Sequence, residues 1–293
     1  MIDFMRYRII YLFLSALVLV PGIATLFVYG LKPAIDFTGG TLMEFLISSD
    51  KNPTVEEIRT LVSSQQIEIG TVQTSGKNSF LLRLKPLEST QHDALLVRLN
   101  DTYGTVVENR YESVGPTLGG ELLRKTFIAA MVALTAILLY VAWAFKNFRY
   151  GVSAILALLH DVLVVIGVFA ILGKVKGVEV DALFVTAILT TMSFSVHDTI
   201  VVFDRIRELQ KKSIQLPYLQ VINQALTETM VRSLNNSLTI IFMLLALVLF
   251  GGETIRWFAV ALLVGTITGT YSSPFVATPI LYTWSTLRDK KNI

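Results

Sequence analysis

The stretch LFVTAILTTMSFSVHDTIVVFDRIRE (183–208) decides how the rest of the chain is read. From Leu183 to Phe203 it is apolar, and it is long enough to cross a bilayer, which takes about 20 helical residues. The only titratable side chains in that run are His197 and Asp198. An acid in hydrocarbon costs about 2.5–3.5 kcal/mol on insertion scales, so such residues usually face a pathway, a relay or a partner helix. A polar pair that merely hydrogen-bonds its neighbours is the simpler alternative, and one helix does not choose between the two.

Working outward, five more stretches of the 293-residue chain have the same character: roughly 9–30, 126–145, 152–172, 234–250 and 257–284. The composition agrees, with 53% hydrophobic and only 16% charged residues, against about 25% charged in a soluble domain. The fifth span is short unless its amphipathic lead-in enters the membrane. The sixth carries Pro274 and Pro279 and is expected to tilt or kink. The first has Arg6 and Arg8 before it, but its apolar run exceeds a signal-peptide core and reads as an uncleaved anchor. There is no cysteine, which excludes disulfides and thiolate metal sites.

Positive charge orients the chain. With the N-terminus inside, the cytoplasmic flanks carry 12 Lys/Arg: Arg6, Arg8, Lys146, Arg149, the five from Arg205 to Arg232, and Arg288, Lys290 and Lys291. The two short outer loops carry three, Lys174, Lys176 and Arg256. Both termini are therefore placed in the cytoplasm. Residues 31–120 lie outside, with 8 Lys/Arg against 11 Asp/Glu. No basic, aromatic-interleaved patch suggests nucleic acid.

Within the outer segment, TLMEFLIS (41–48) alternates like a strand, and Pro53-Thr54 opens the helical VEEIRTLVSSQ. EIGTVQTS (68–75) and SFLLRLKP (79–86) flank the hairpin-type turn Gly76-Lys77-Asn78. HDALLVRLNDTYG (92–104) suits a helix, and TVVENRYESV (105–114) supplies a last strand. The order β-α-β-β-α-β is that of a ferredoxin-like split βαβ unit. His92, beside Asp93, reads as a solvated helix-start residue. The fold class is thus an α-helical membrane protein, six transmembrane helices with one extracytoplasmic ferredoxin-like α+β domain. Its parts are a first span (1–30), the outer domain (31–120), spans two to four (121–203), a cytoplasmic basic loop with an interfacial amphipathic helix (204–233), and spans five and six with a tail (234–293).

In that interfacial helix Leu219, Ile222, Leu226 and Met230 recur every three or four residues, giving an apolar stripe suited to membrane lipid or to a partner's cytoplasmic face. The other titratable groups in apolar runs are His160 and Asp161 in span three, with Arg232 at the cytoplasmic start of span five. At 1.5 Å per residue, Asp198 lies about 8 Å and the His160-Asp161 pair about 12 Å from the cytoplasmic ends of their helices. Contact among the three is compatible with those depths. An Asp198–Arg232 pairing would favour a charged carboxylate and desolvation a neutral one, the balance that proton coupling needs. Neighbouring residues on a helix diverge by about 100°, so the His-Asp pairs do not suggest a metal site. Gly265 and Gly269 form a G-x-x-x-G step, followed by Ser272 and Ser273, that permits close helix approach. No nucleotide-binding loop, H-E-x-x-H or G-x-S-x-G motif occurs, and no cofactor is implied.

Five motifs in order, IDFTGGT (35–41), VGPTLGGEL (114–122), LLHDV (158–162), SVHDTIVVFDRIRE (195–208) and GTYSSPFVATP (269–279), closely resemble the SecF family of Sec-translocase membrane subunits. Ser193-Phe194 stand where that family often has Gly-Tyr, and His197 where Asn is also common. The resemblance implies a half-sized member of the resistance-nodulation-division superfamily in the cytoplasmic (inner) membrane of a bacterium. It further implies a SecD partner, work beside the SecYEG channel with YajC and YidC as further candidates, and an unfolded translocating polypeptide as cargo. By the same resemblance, proton flow drives the complex without covalent catalysis, Asp198 is the membrane carboxylate and Arg232 the essential arginine. His197, Asp161 and His160 are their candidate companions in a proton relay. Asp36, Thr38, Gly39 and Gly40 match the signature joining membrane and outer domain, and Gly115 and Pro116 of the second motif are counted with it.

Overall fold

The computed structural model describes residues 3–49, 51–76, 78–145, 147–212 and 215–289. The turn residue Lys77 and the flanking cations Lys146, Lys290 and Lys291 lie outside them. Two compact units result, residues 33–128 and residues 1–32 with 129–293.

The smaller unit begins with a single turn, α2 (Ile35–Thr38), which follows α1 (Arg8–Tyr29) of the larger unit in chain order. Then come β1 (Gly40–Ile47), α3 (Val55–Ser64), β2 (Ile69–Gly76), β3 (Ser79–Leu84), α4 (Ser89–Tyr103) and β4 (Val106–Val114). The sheet order is β2-β3-β1-β4 with every pair antiparallel. β3 therefore sits between β1 and β2, which is the split βαβ arrangement expected from element order. Strand period two sends Met43, Phe45 and Ile47 of β1 and Phe80, Leu82 and Leu84 of β3 to one buried face. Ile58 and Val62 of α3 and Leu95 and Leu99 of α4 cover that face. α3 starts where Thr54 and Glu57 form a reciprocal capping box. A second box, Glu88 with Gln91, starts α4 three residues before the expected position.

That earlier start changes His92. It stands inside α4, its side chain 14% exposed, with Nδ1 3.1 Å from Asp93 Oδ1 and Nε2 2.9 Å from Glu108 Oε1 on β4. It is a bridge between helix and strand, not a solvated residue. Burial works against the charged ring, but its hydrogen bonds to the Glu108 and Asp93 carboxylates outweigh it and raise the His92 pKa above its usual 6.5.

In the larger unit a 3₁₀ turn (Phe4–Tyr7) leads into α1. The part of α5 (Pro116–Phe145) from residue 129 onward, α6 (Phe148–Lys176), α7 (Ala182–Lys212), α8 (Tyr218–Phe250) and α9 (Glu253–Ser272) follow, then α10 (Thr278–Asp289). Among the described residues, six helical segments are long and apolar enough to cross a membrane, matching the six expected. α6, α7 and the α9–α10 segment hold the most buried positions, whereas α5 turns Phe127, Met131, Leu139 and Trp143 outward. At Pro274 the sixth span passes through one π-helical turn, Ser273–Ala277. Proline has no N–H and its ring crowds the carbonyl four residues back, so the ladder must widen there. Thr278 Oγ1 donates to the Ser273 carbonyl at 2.9 Å.

Residues 204–233 differ from the expected loop plus separate interfacial helix. Residues 204–212 continue α7, and residues 218–233 are the first half of α8, unbroken into the fifth span. Ile222 and Leu226 of the apolar stripe, with Val221 and Ala225, are buried in one cluster with Val202, Phe203, Ile206 and Leu209 of α7 and with Met5. Asn223 accepts from the Met5 N–H at 3.2 Å and donates to Asp3 at 2.9 Å. The stripe is thus consumed by protein packing. Three of the basic residues are tied by ion pairs: Arg205 with Glu208 and Glu228, Arg207 with Asp204, and Lys212 with Glu208.

Candidate functional site

Asp161 of α6 is fully buried. Its Oδ1 lies 2.9 Å from Nδ1 of His160, and its Oδ2 accepts hydrogen bonds of 2.6 Å from Ser195 of α7 and Ser272 of α9. One carboxylate thereby joins three helices. The other ring nitrogen of His160, Nε2, is buried without a hydrogen-bond partner.

Asp198 is three residues beyond Ser195 on α7, about 4.5 Å along the axis. It is partly buried, and its Oδ2 accepts a short hydrogen bond from Ser233 of α8. The expected pairing with Arg232 is not formed: the partner is the next residue, whose position on α8 differs by about 100°. Arg232 is exposed and lines a cleft of about 640 Å³ with Arg205, Asp204, Glu208 and Glu228. His197 is exposed, on the far side of α7 from Ser195. So α7 brings Asp161 and Asp198 within about a turn of one another and leaves His197 and Arg232 outside that group.

The GTYSSP motif supplies partners that spacing did not reveal. Thr270 donates to Ser237 of α8 at 2.6 Å, and the Tyr271 hydroxyl donates to the Tyr11 carbonyl of α1 at 2.7 Å. Ser272 donates to Asp161 of α6, and Ser273 Oγ lies 3.0 Å from Thr199 Oγ1 of α7. Four consecutive residues thus reach four different helices. The approach is close because Gly265 and Gly269 face α7. A Cβ on Gly265 would stand 2.1 Å from Thr191 Oγ1, and one on Gly269 3.4 Å from the Ser195 Cα. The G-x-x-x-G step carried this signal; Ser195 and Ser233, common residues among apolar ones, carried none. Among the described residues no three His, Cys, Asp or Glu converge as a metal would need.

The signature residues come together in the smaller unit. Gly39 (φ +71) and Gly40 (φ +132) take backbone conformations that side chains resist. A Cβ on Gly39 would lie 2.7 Å from the Pro116 Cα, and one on Gly119 2.8 Å from the Gly39 nitrogen. Thr38 Oγ1 donates to the Ala34 and Gly39 carbonyls at 3.2 and 3.0 Å, and Asp36 lies in the turn α2. Gly115 has no heavy atom near its would-be Cβ.

Residues 96–287 match the family described as "Protein export membrane protein SecD/SecF, C-terminal", and residues 24–49 match the "SecD/SecF GG Motif". The chain belongs to the SecD/SecF family. Among its SecD/SecF relatives, the protein translocase subunit SecF of Thermobaculum terrenum is 44% identical over 97% of this chain and 94% of its own. The protein translocase subunit SecDF of Thermus thermophilus is 38% identical over 89% of this chain and 36% of its own length. A crystal structure of SecDF, a translocon-associated membrane protein from Thermus thermophilus, superposes with a TM-score of 0.84 at 34% identity. That match covers 97% of this chain and 39% of the other. Among its described residues, the chain is a multi-pass membrane protein with one small α+β unit.

Proposed function

We propose that this chain is the SecF-type subunit of a bacterial Sec protein translocase. It pairs with SecD in the cytoplasmic membrane, with both termini inside, and uses the proton-motive force to promote late translocation. SecYEG, with YajC and YidC around it, and an unfolded polypeptide crossing the membrane are its further partners, and lipid surrounds the spans. It performs no covalent catalysis of its own. The names of its relatives support the translocase role.

The observation that carries the proton role is the pair Asp161 and Asp198, each held by serine hydroxyls and by no Lys or Arg among the described residues. An ionised carboxylate only accepts hydrogen bonds, whereas a protonated one must also donate. A proton taken up on Asp161 Oδ2, the oxygen that does not face His160, forces a choice between Ser195 and Ser272, and at Asp198 a proton turns the bond to Ser233. Each change alters how α7 is tied to its neighbours, and a two-state helix arrangement is biased by such differences. Arg232, at the mouth of the charged cleft, is the cation through which a partner's acid or the Asp198 carboxylate is met in another state.

The test is proton-driven translocation by the assembled SecD complex in sealed vesicles carrying Asp198→Asn. Loss of stimulation by the gradient, with SecD assembly intact, is the expected result. Normal stimulation would sink the proton role and leave a purely structural subunit.

A further inference from the structure

Ser272 has two acceptors within reach. Its hydroxyl lies 2.6 Å from Asp161 Oδ2 and 3.2 Å from the Gly269 carbonyl. Ser273 also reaches the Gly269 carbonyl, at 3.3 Å, and its alternative partner is Thr199 Oγ1 at 3.0 Å. Thr199 in turn donates to the Ser195 carbonyl at 3.0 Å, and it adjoins Asp198 in sequence. All four hydroxyl residues, Ser195, Thr199, Ser272 and Ser273, are buried, at 1% exposure or less, so water does not substitute for a lost partner. Ser195 Oγ donates to Asp161, whereas Ser272 has the Gly269 carbonyl as a second acceptor and is the member free to turn away.

We infer that Ser272, Ser273 and Thr199 form a hydrogen-bond relay that reports the proton state of Asp161 to the helix turn carrying Asp198. This rests on the proton-coupled reading above and extends it to residues that reading does not use. With Asp161 ionised, Ser195 and Ser272 both donate to Oδ2, while the titratable group beside it, His160, faces Oδ1 at 2.9 Å and leaves Oδ2 to the serines. When a proton binds Oδ2, that oxygen becomes a donor, Ser272 accepts from it, and the Ser272 hydrogen swings to the Gly269 carbonyl. Ser273 competes for the same carbonyl and is displaced toward Thr199 Oγ1. Thr199 then keeps its hydrogen on the Ser195 carbonyl, one turn back on α7. No proton travels along the relay; one proton is bound at Asp161, the Ser272 and Ser273 hydroxyls reorient, and Thr199 Oγ1 becomes the acceptor for Ser273. The π-helical turn beginning at Ser273 gives that end of the sixth span the backbone freedom to follow. Ser272, Ser273 and Thr199 are positioning residues, acting through the two carboxylates.

The experiment measures translocation by the full complex in sealed vesicles, with and without a proton gradient, and takes their ratio. Ser272→Ala is expected to lower that ratio about tenfold, the size of one hydrogen bond to a charged group, and Ser273→Ala and Thr199→Val about fivefold each, the size of a neutral one. Thr268→Val, which removes a hydroxyl bonded only to its own helix, is the control and is expected to keep it. Combining Ser272→Ala with Asp161→Asn is expected to lower the ratio no further than Asp161→Asn alone, because the relay then has nothing to report. Multiplying effects in that double variant would overturn the relay. So would a full ratio in Asp161→Asn with loss in Asp198→Asn, which leaves proton coupling standing. A full ratio in both Asp variants would instead remove the proton reading itself. If a relay variant fails to assemble with SecD, the remaining two decide the outcome by the same criteria.

Discussion

Gly22 of α1 and Gly167 of α6 meet backbone to backbone: a Cβ built on Gly22 would stand 2.9 Å from the Gly167 Cα, and the converse distance is 2.8 Å. Without a side chain at either position, the two helices touch by main-chain packing, the interaction that drives association where lipid and leucine are equally apolar. Gly22→Ala or Gly167→Ala must push the helices apart, at an expected cost of about 1–3 kcal/mol. Thermal unfolding of the detergent-solubilised chain checks this. The double substitution is expected to cost less than the sum of the two, since the helices separate once.

The first half of α8 is predicted to behave as core. Leu226→Ala is expected to destabilise by about 2–5 kcal/mol, the usual price of truncating a fully buried leucine. A helix lying in the lipid interface would lose far less. Unfolding midpoints of Leu226→Ala and of the exposed neighbour Val231→Ala separate the two cases.

Gly39 and Gly115 offer a matched comparison in the family signature. Gly39→Ala puts a side chain at φ +71 and against Pro116, an expected loss of about 1–3 kcal/mol. Gly115→Ala meets nothing within 4 Å and is expected to stay within about 0.5 kcal/mol of the parent. Protease resistance of the α+β unit in the intact protein reads out both.

His92 gives the α+β unit a pH dependence of definite sign. The native ring holds its proton to higher pH than the unfolded chain does at about 6.5. Its contribution to stability is therefore complete below about pH 6.5 and is lost as pH rises through the raised native value. His92→Gln should remove that decline. Hydrogen-exchange protection of α4 and β4 between pH 5.5 and 8.5 compares the two proteins; equal slopes would contradict the bridge to Glu108.

Much of the architecture could be read from residues alone because its causes are local. Hydropathy marks a span, alternation marks a strand, and the β-α-β-β-α-β order admits few sheet topologies. Even the hairpin at Gly76 follows from its turn residues, with Gly76 paired to Ser79. What escaped was pairing across distance. The α8 stripe has the same 3.6 period whether lipid or α7 covers it, so periodicity could not say which. Depth put Asp198 and Arg232 at similar levels, but depth is blind to angle around the helix, and Ser233 took the bond instead. Asp161 was visible as an acid; its two serines were not, since a serine shows its partner only when the helices are docked. The glycines at 265 and 269 were the nearest thing to a clue, pointing to the helix that brings Ser272 in.

Gly40 at the start of β1 pairs with Val114 at the end of β4, so the polypeptide enters and leaves the sheet at one corner. Tension drawn between those two points would load the ladder one rung at a time, the weakest way to stress an antiparallel pair. The contact of Gly39 with Pro116 and of Gly119 with Phe37 and Gly39 sits ahead of the first rung. It would act as the bar-tack at the end of a zip: a pull would meet that contact before it reached the strands behind it.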